Sequence, residues 1–98
     1  MLNSVAILGR IAGRPMKIDD MPAADAAYKV PIRIDETKDS SQALVNICIW
    51  EELAQTINDK YREETVAGIK GYLKTVNDRL YVVATRVSFM TPMEADND

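Results

Sequence analysis

The chain has 98 residues, 47% of them hydrophobic and 28% charged, with a formal net charge of −3. This balance excludes a disordered or fibrous polymer and leaves room for one domain with one core. With no histidine and a single cysteine, His-based triads, His general bases, ordinary zinc sites and an internal disulfide are all excluded.

Residues 4–12 (S-V-A-I-L-G-R-I-A) form a short apolar run closed by Gly13, Arg14 and Pro15, which predicts a buried first strand with Gly9 at a bend or bulge. Residues 15–26 have no steady period and contain two prolines, so a connection with at most one short extended stretch is expected. Tyr28, Val30, Ile32 and Ile34 then alternate with Lys29, Pro31, Arg33 and Asp35, a second strand with one apolar face. Pro31 has no N–H to give and belongs at a bulge or an unpaired position.

A polar turn over residues 37–42 leads into a third strand, with Val45, Ile47 and Ile49 inward and Leu44, Asn46, Cys48 and Trp50 outward. Over residues 51–61 the period changes: Leu53, Ala54, Ile57 and Tyr61 recur at helical spacing, with Glu51 and Glu52 at the positive end of the dipole. Residues 65–75 alternate again, Ala67, Ile69, Gly71 and Leu73 inward and Val66, Gly68, Lys70, Tyr72 and Lys74 outward. Asn77 and Asp78 mark a tight turn, and residues 80–89 are rich in β-branched and aromatic side chains, as a closing strand requires. Five strands with one short helix between the third and fourth is the order of an all-β OB-fold, a Greek-key barrel. Residues 1–90 are read as this barrel and residues 91–98 as a disordered acidic tail.

Catalytic, cofactor and metal chemistry find little support. Cys48 sits among apolar neighbours with no activating cation in sequence and reads as a packed thiol. Asp19, Asp20 and Asp25 lack the spacing and turn glycine of a calcium loop, and Gly9 and Gly13 lack the helix and lysine of a phosphate loop. No enzyme, cofactor or metal is expected. Without a leader or a run of about 18 apolar residues, a cytoplasmic protein with no membrane partner is expected.

The outward set is more telling. Trp50, Lys29, Arg33, Lys70, Tyr72 and Lys74 place cations around aromatic rings, the pairing that holds single-stranded nucleic acid by tracking phosphates and stacking on bases. Trp50 at a strand–helix junction serves equally well as a plug for a subunit interface or a barrel end.

The opening M-L-N-S-V-A-I-L-G-R-I resembles that of bacterial single-stranded DNA-binding proteins. So do V-N-I-C-I-W-E-E-L-A at residues 45–54, I-K-G-Y-L-K-T at 69–75 and R-L-Y-V-V-A-T-R-V at 79–87. The resemblance covers residues 1–90 and implies an OB-fold that binds single-stranded DNA in a sequence-tolerant way during replication, recombination or repair and self-associates as a dimer or tetramer. It also implies that Trp50 stacks on a base and that Arg10 and Lys74 occupy basic positions of the family. The chain departs from that pattern at Leu44, Asn46, Glu52 and Glu63, which stand where an aromatic or basic residues are usual, and its final hairpin is cut to V-N-D-R. Weaker binding with a smaller salt slope is expected. The terminal E-A-D-N-D carries no apolar tip, so recruitment of replication or repair proteins through such a tip is not expected; in this the chain resembles the short primosomal relatives. The alternative expectation is a protein-interaction or primosome accessory module with little or no DNA binding.

Overall fold

The computed structural model describes residues 3–18, 28–35, 42–76 and 78–90. Their order is β1 (Val5–Ile11), β2 (Met16–Lys17), β3 (Tyr28–Asp35), β4 (Gln42–Ile49), α1 (Glu51–Lys60), β5 (Val66–Val76) and β6 (Arg79–Met90). The strands lie in the order β1-β5-β6-β4-β3-β2, and β1 pairs a second time, with β3, at Arg10↔Arg33 and Ile11↔Ile32. That second pairing rolls the five long strands into the barrel expected from the sequence. β2, only two residues long, is the brief extended stretch foreseen in the first connection.

The core follows from the alternation of side chains. Ile11, Val30, Ile32, Ile47, Ile49, Ala67, Ile69, Val82 and Ala84 are buried within one cluster, and each large aliphatic side chain withdrawn from water contributes roughly 1.5–3 kcal/mol. α1 lays Ala54 and Ile57 against this cluster, as its spacing predicted. Beyond its end the Tyr61 ring stacks on Phe89 of β6 with centroids 4.0 Å apart. Arg14, just after β1, donates to the carbonyls of Ile57 (3.3 Å) and Tyr61 (3.0 Å). A cation thus sits at the negative end of the helix dipole, sharing the Ile57 carbonyl with the Tyr61 N–H.

Pro31 pairs in register with Asn46 of β4, while its carbonyl accepts the Ala12 N–H at 2.9 Å. Its ring nitrogen faces that same side, where β1 has ended and β2 has not begun, so no ladder bond is lost. β4 and β6 run parallel and pair only at Ile47↔Val82 and Cys48↔Val83. Their preceding halves diverge, and a slit of about 440 Å³ opens between them.

β5 and β6 slip register between Lys70↔Arg86 and Gly71↔Ala84, leaving Thr85 as the extra residue. The Thr85 hydroxyl donates to the Lys70 carbonyl at 3.1 Å. At the bulge Gly71 passes so close to β6 that a Cβ would collide with the Val83 carbonyl, whereas a Cβ at Gly68 would meet nothing within 4 Å. Gly71→Ala should therefore destabilise by about 1–3 kcal/mol through overpacking against backbone that cannot step aside. Gly68→Ala should cost nothing or stabilise slightly. Urea unfolding of the two variants checks this, and equal stabilities would contradict the register described.

Candidate nucleic-acid interface

The exterior of the barrel carries a transverse row across five strands: Met16, Lys29, Cys48, Val83 and Tyr72, each paired with the next. Cys48 and Val83 form a second apolar cluster on this outer face, covered by Ile18, Tyr72 and Tyr81. Cys48 was expected on the outward face of its strand and as a packed thiol. It leaves the barrel, and Tyr72, Tyr81 and Ile18 close over it, so that it is fully buried. Burial pushes its thiol up to about 11, with Lys29 opposing, so at neutral pH the sulfur is protonated and poorly nucleophilic.

The two tyrosines that roof the thiol are half-buried, each with one flank against the apolar floor. That placement fixes ring orientation while leaving the other flank to stack. Lys74 registers directly opposite Tyr81, Lys70 lies two residues from Tyr72 on the same face, and Lys29 reaches the mouth of the slit. Trp50, 37% exposed, follows the last residue of β4 and lies two residues beyond Cys48. It occupies the N-cap position of α1 in extended backbone and makes no side-chain capping bond, so its indole is not consumed by the helix terminus. Lys29, Lys70, Tyr72, Lys74 and Trp50 therefore share the outer surface foreseen from their alternation.

Three contributors escaped the sequence reading. Tyr81 is one. Arg79 and Leu80 are the others at the slit, which they line together with Leu44, Leu73, Asn46 and Lys29. Leu44 and Leu80 are 69% and 67% exposed. Leu73, expected inward, is 41% exposed because it sits where β4 and β6 part. The period of β5 gave no hint of this, since the slit is a property of two strands distant in sequence. Arg86 is a further case: the bulge at Thr85 shifts the parity of β6, so Arg86 lands opposite Lys70.

Arg10 and Arg33 stand apart from the aromatic platform. They are directly paired across β1 and β3, but Arg33 is not an open phosphate contact as expected: both its terminal nitrogens donate to the Glu64 carboxylate, one at 2.9 Å to Oε2 and the other to Oε1. Arg10 donates to the Glu64 carbonyl at 3.2 Å. The hydrogen bond from Arg33 is the main reason that the Glu64 carboxyl lies below its ordinary 4.5, with the charges of Arg33 and Arg10 acting in the same direction. Among the described residues no group of three metal-ligating side chains gathers.

No protein-family model matches the chain, and no curated protein matches it. Solved structures do. The mitochondrial single-stranded DNA-binding protein of S. cerevisiae superposes with a TM-score of 0.71 at 16% identity, covering 90% of this chain and 93% of that one. The single-stranded DNA-binding domain of a Synechococcus sp. protein gives 0.64 at 16% identity over 89% and 94%. The dimeric N-terminal domain of the PriB protein of Thermoanaerobacter tencongensis gives 0.64 at 14% identity over 92% and 98%. At these identities the likeness establishes the fold, an OB barrel over nearly the full length of each chain.

The depressed Glu64 carboxyl carries a consequence for stability. A group whose folded value is lowered stabilises the fold at pH above its unfolded value and loses that contribution as pH falls through the folded one. The wild-type Tm should therefore fall more steeply than that of Glu64→Gln as the pH drops from neutral to below the ordinary carboxyl value of 4.5. Parallel thermal melts check it, and superimposable pH profiles would show that the pair does not persist in solution.

Proposed function

We propose that the chain is a non-catalytic, sequence-tolerant binder of single-stranded DNA acting in replication, recombination or repair. The observation that carries this reading is the outer face built around Cys48 and Val83, where Tyr72 and Tyr81 are seated on an apolar floor with Lys29, Lys70 and Lys74 beside them. A strand laid along it gains ring stacking for its bases and cations for its phosphates without hydrogen bonds that read base identity. Trp50 at one end of β4 and the slit beside Leu44 and Leu80 at the other extend the platform. The fold likeness to proteins that bind single-stranded DNA agrees with this reading.

Two observations favour a second reading, a protein-interaction module of the same fold. Glu64 engages Arg33, and the net charge of −3 opposes phosphate binding. The two readings separate by titration with labelled oligo(dT), read by Trp50 quenching and by polarisation. Strand binding predicts quenching that weakens with salt. It also predicts that Trp50→Ala and Tyr81→Ala each lose about 1–3 kcal/mol of binding free energy. No polarisation change at low salt would leave the interaction module standing.

Self-association is proposed with it. On the adjoining outer surface of β1 and β5, Leu8 of β1, 61% exposed, registers beside Gly68, whose missing side chain leaves a dimple bordered by Ala6, Arg86, Ser88 and Lys70, the last at the boundary with the platform. An apolar knob next to a hole on one patch is self-complementary under a two-fold axis, and one of the similar solved structures is a dimer. Leu8→Glu should shift the sedimentation coefficient from that of an oligomer to that of a monomer; a wild type that sediments as a monomer would dismiss the interface.

A further inference from the structure

Glu64 is unusual in three respects at once. Its backbone is left-handed, with φ of 75°, a region that side chains other than glycine seldom occupy. Its carboxylate pairs with Arg33 and its backbone carbonyl accepts from Arg10, two arginines that face each other across β1 and β3, an arrangement that repels unless a negative group lies near them. Its side chain is also 58% exposed whereas that of Arg33 is only 22% exposed. The arginine is held by the sheet, and the glutamate leans in from the turn that follows α1.

From this geometry we infer that Arg33, with Arg10 beside it, forms an anion site occupied from within the chain by the Glu64 carboxylate, and that a strand phosphate takes the site when the carboxylate is displaced. The inference rests on the strand-binding reading and adds to it an internal competitor. A carboxylate and a phosphate accept the same two parallel N–H bonds from a guanidinium, so the exchange preserves the bonding of Arg33 while the Glu64 carboxylate passes into water. The site stands apart from the tyrosines but within reach of the same strand: Arg33 registers beside Leu44, which lines the slit, and lies on the same face of β3 as Lys29. Glu64 therefore sets how many phosphates the surface neutralises, and with it the affinity and its dependence on salt.

The test compares Glu64→Gln with Glu63→Gln, which removes the same charge from an exposed neighbour that makes no ion pair among the described residues. Binding of labelled oligo(dT) is followed by polarisation over a series of KCl concentrations. Glu64→Gln should bind roughly 3–10-fold tighter than wild type, and the slope of log K against log[salt] should steepen by about 0.7, the value for one further phosphate on a single strand. Glu63→Gln should show a smaller gain and an unchanged slope. Glu64→Gly removes the carboxylate while suiting the left-handed backbone, so it should reproduce the gain with a Tm no lower than that of wild type. In an Arg33→Gln background the Glu64→Gln gain should shrink to that of Glu63→Gln. A Glu64→Gln variant that matches Glu63→Gln in affinity and slope, while wild type binds and quenches Trp50, would overturn the internal competitor and leave strand binding intact. If wild type and all variants leave oligo(dT) unbound, the anion site and the strand-binding reading fall together.

Discussion

Everything in this barrel depends on β1 pairing along both of its edges. Toward β5 it holds a register from Val5↔Gly71 to Arg10↔Val66, and at its far end it turns to meet β3 at Arg10↔Arg33 and Ile11↔Ile32. Two neighbours approach one short strand at its end, and Gly9 is where they crowd it: a Cβ there would lie 2.6 Å from both the Arg33 carbonyl oxygen and Ile32 Cγ2. Closure removes sheet edges that would otherwise seek another chain. It also divides every strand into an inner and an outer face, and that division sets which side chains can meet a ligand.

The outer face is not simply what the core leaves over. Cys48 and Val83 give it an apolar floor, and the tyrosines above are fixed by packing. A base stacks better on a ring that has already lost its rotamer freedom, because little ordering remains to oppose binding. The slit has a related origin. β4 and β6 pair at only two positions, as few as β1 and β3, and where they separate Leu44, Leu73 and Leu80 are left exposed. An imperfect closure thus places apolar surface beside Lys29 and Arg79.

Charge works locally here. The chain is acidic in sum, yet the platform face carries lysines, while part of the acidity is spent within the fold, as the Glu64 carboxylate shows on Arg33. Counting cations overstates what a phosphate backbone would meet, because a guanidinium with a bidentate carboxylate already has its counter-ion. Arg14 is similarly engaged, its nitrogens directed at the carbonyls of the helix end.

The sequence by itself determined the strands, the helix and their order. Their periods of two and 3.6 arise from local backbone geometry and need no partner to be read. Val30, Ile32, Ile47, Ile49, Ala54, Ile57 and Ile69 were legible as core on that basis, as were Trp50, Lys29, Lys70, Tyr72 and Lys74 as an outer set. Only the tertiary structure decided what depends on residues far apart along the chain. The cover over Cys48 needs Tyr72 and Tyr81 brought onto β4 through β6. The slit needs two parallel strands that part company. Arg86 faces outward because one extra residue at Thr85 shifts the phase of β6. Arg33 meets Glu64 across 31 positions because closure of β1 on β3 places the turn after α1 beside it. A local period carries no information about such contacts, since the energy that selects them arises only when the barrel closes.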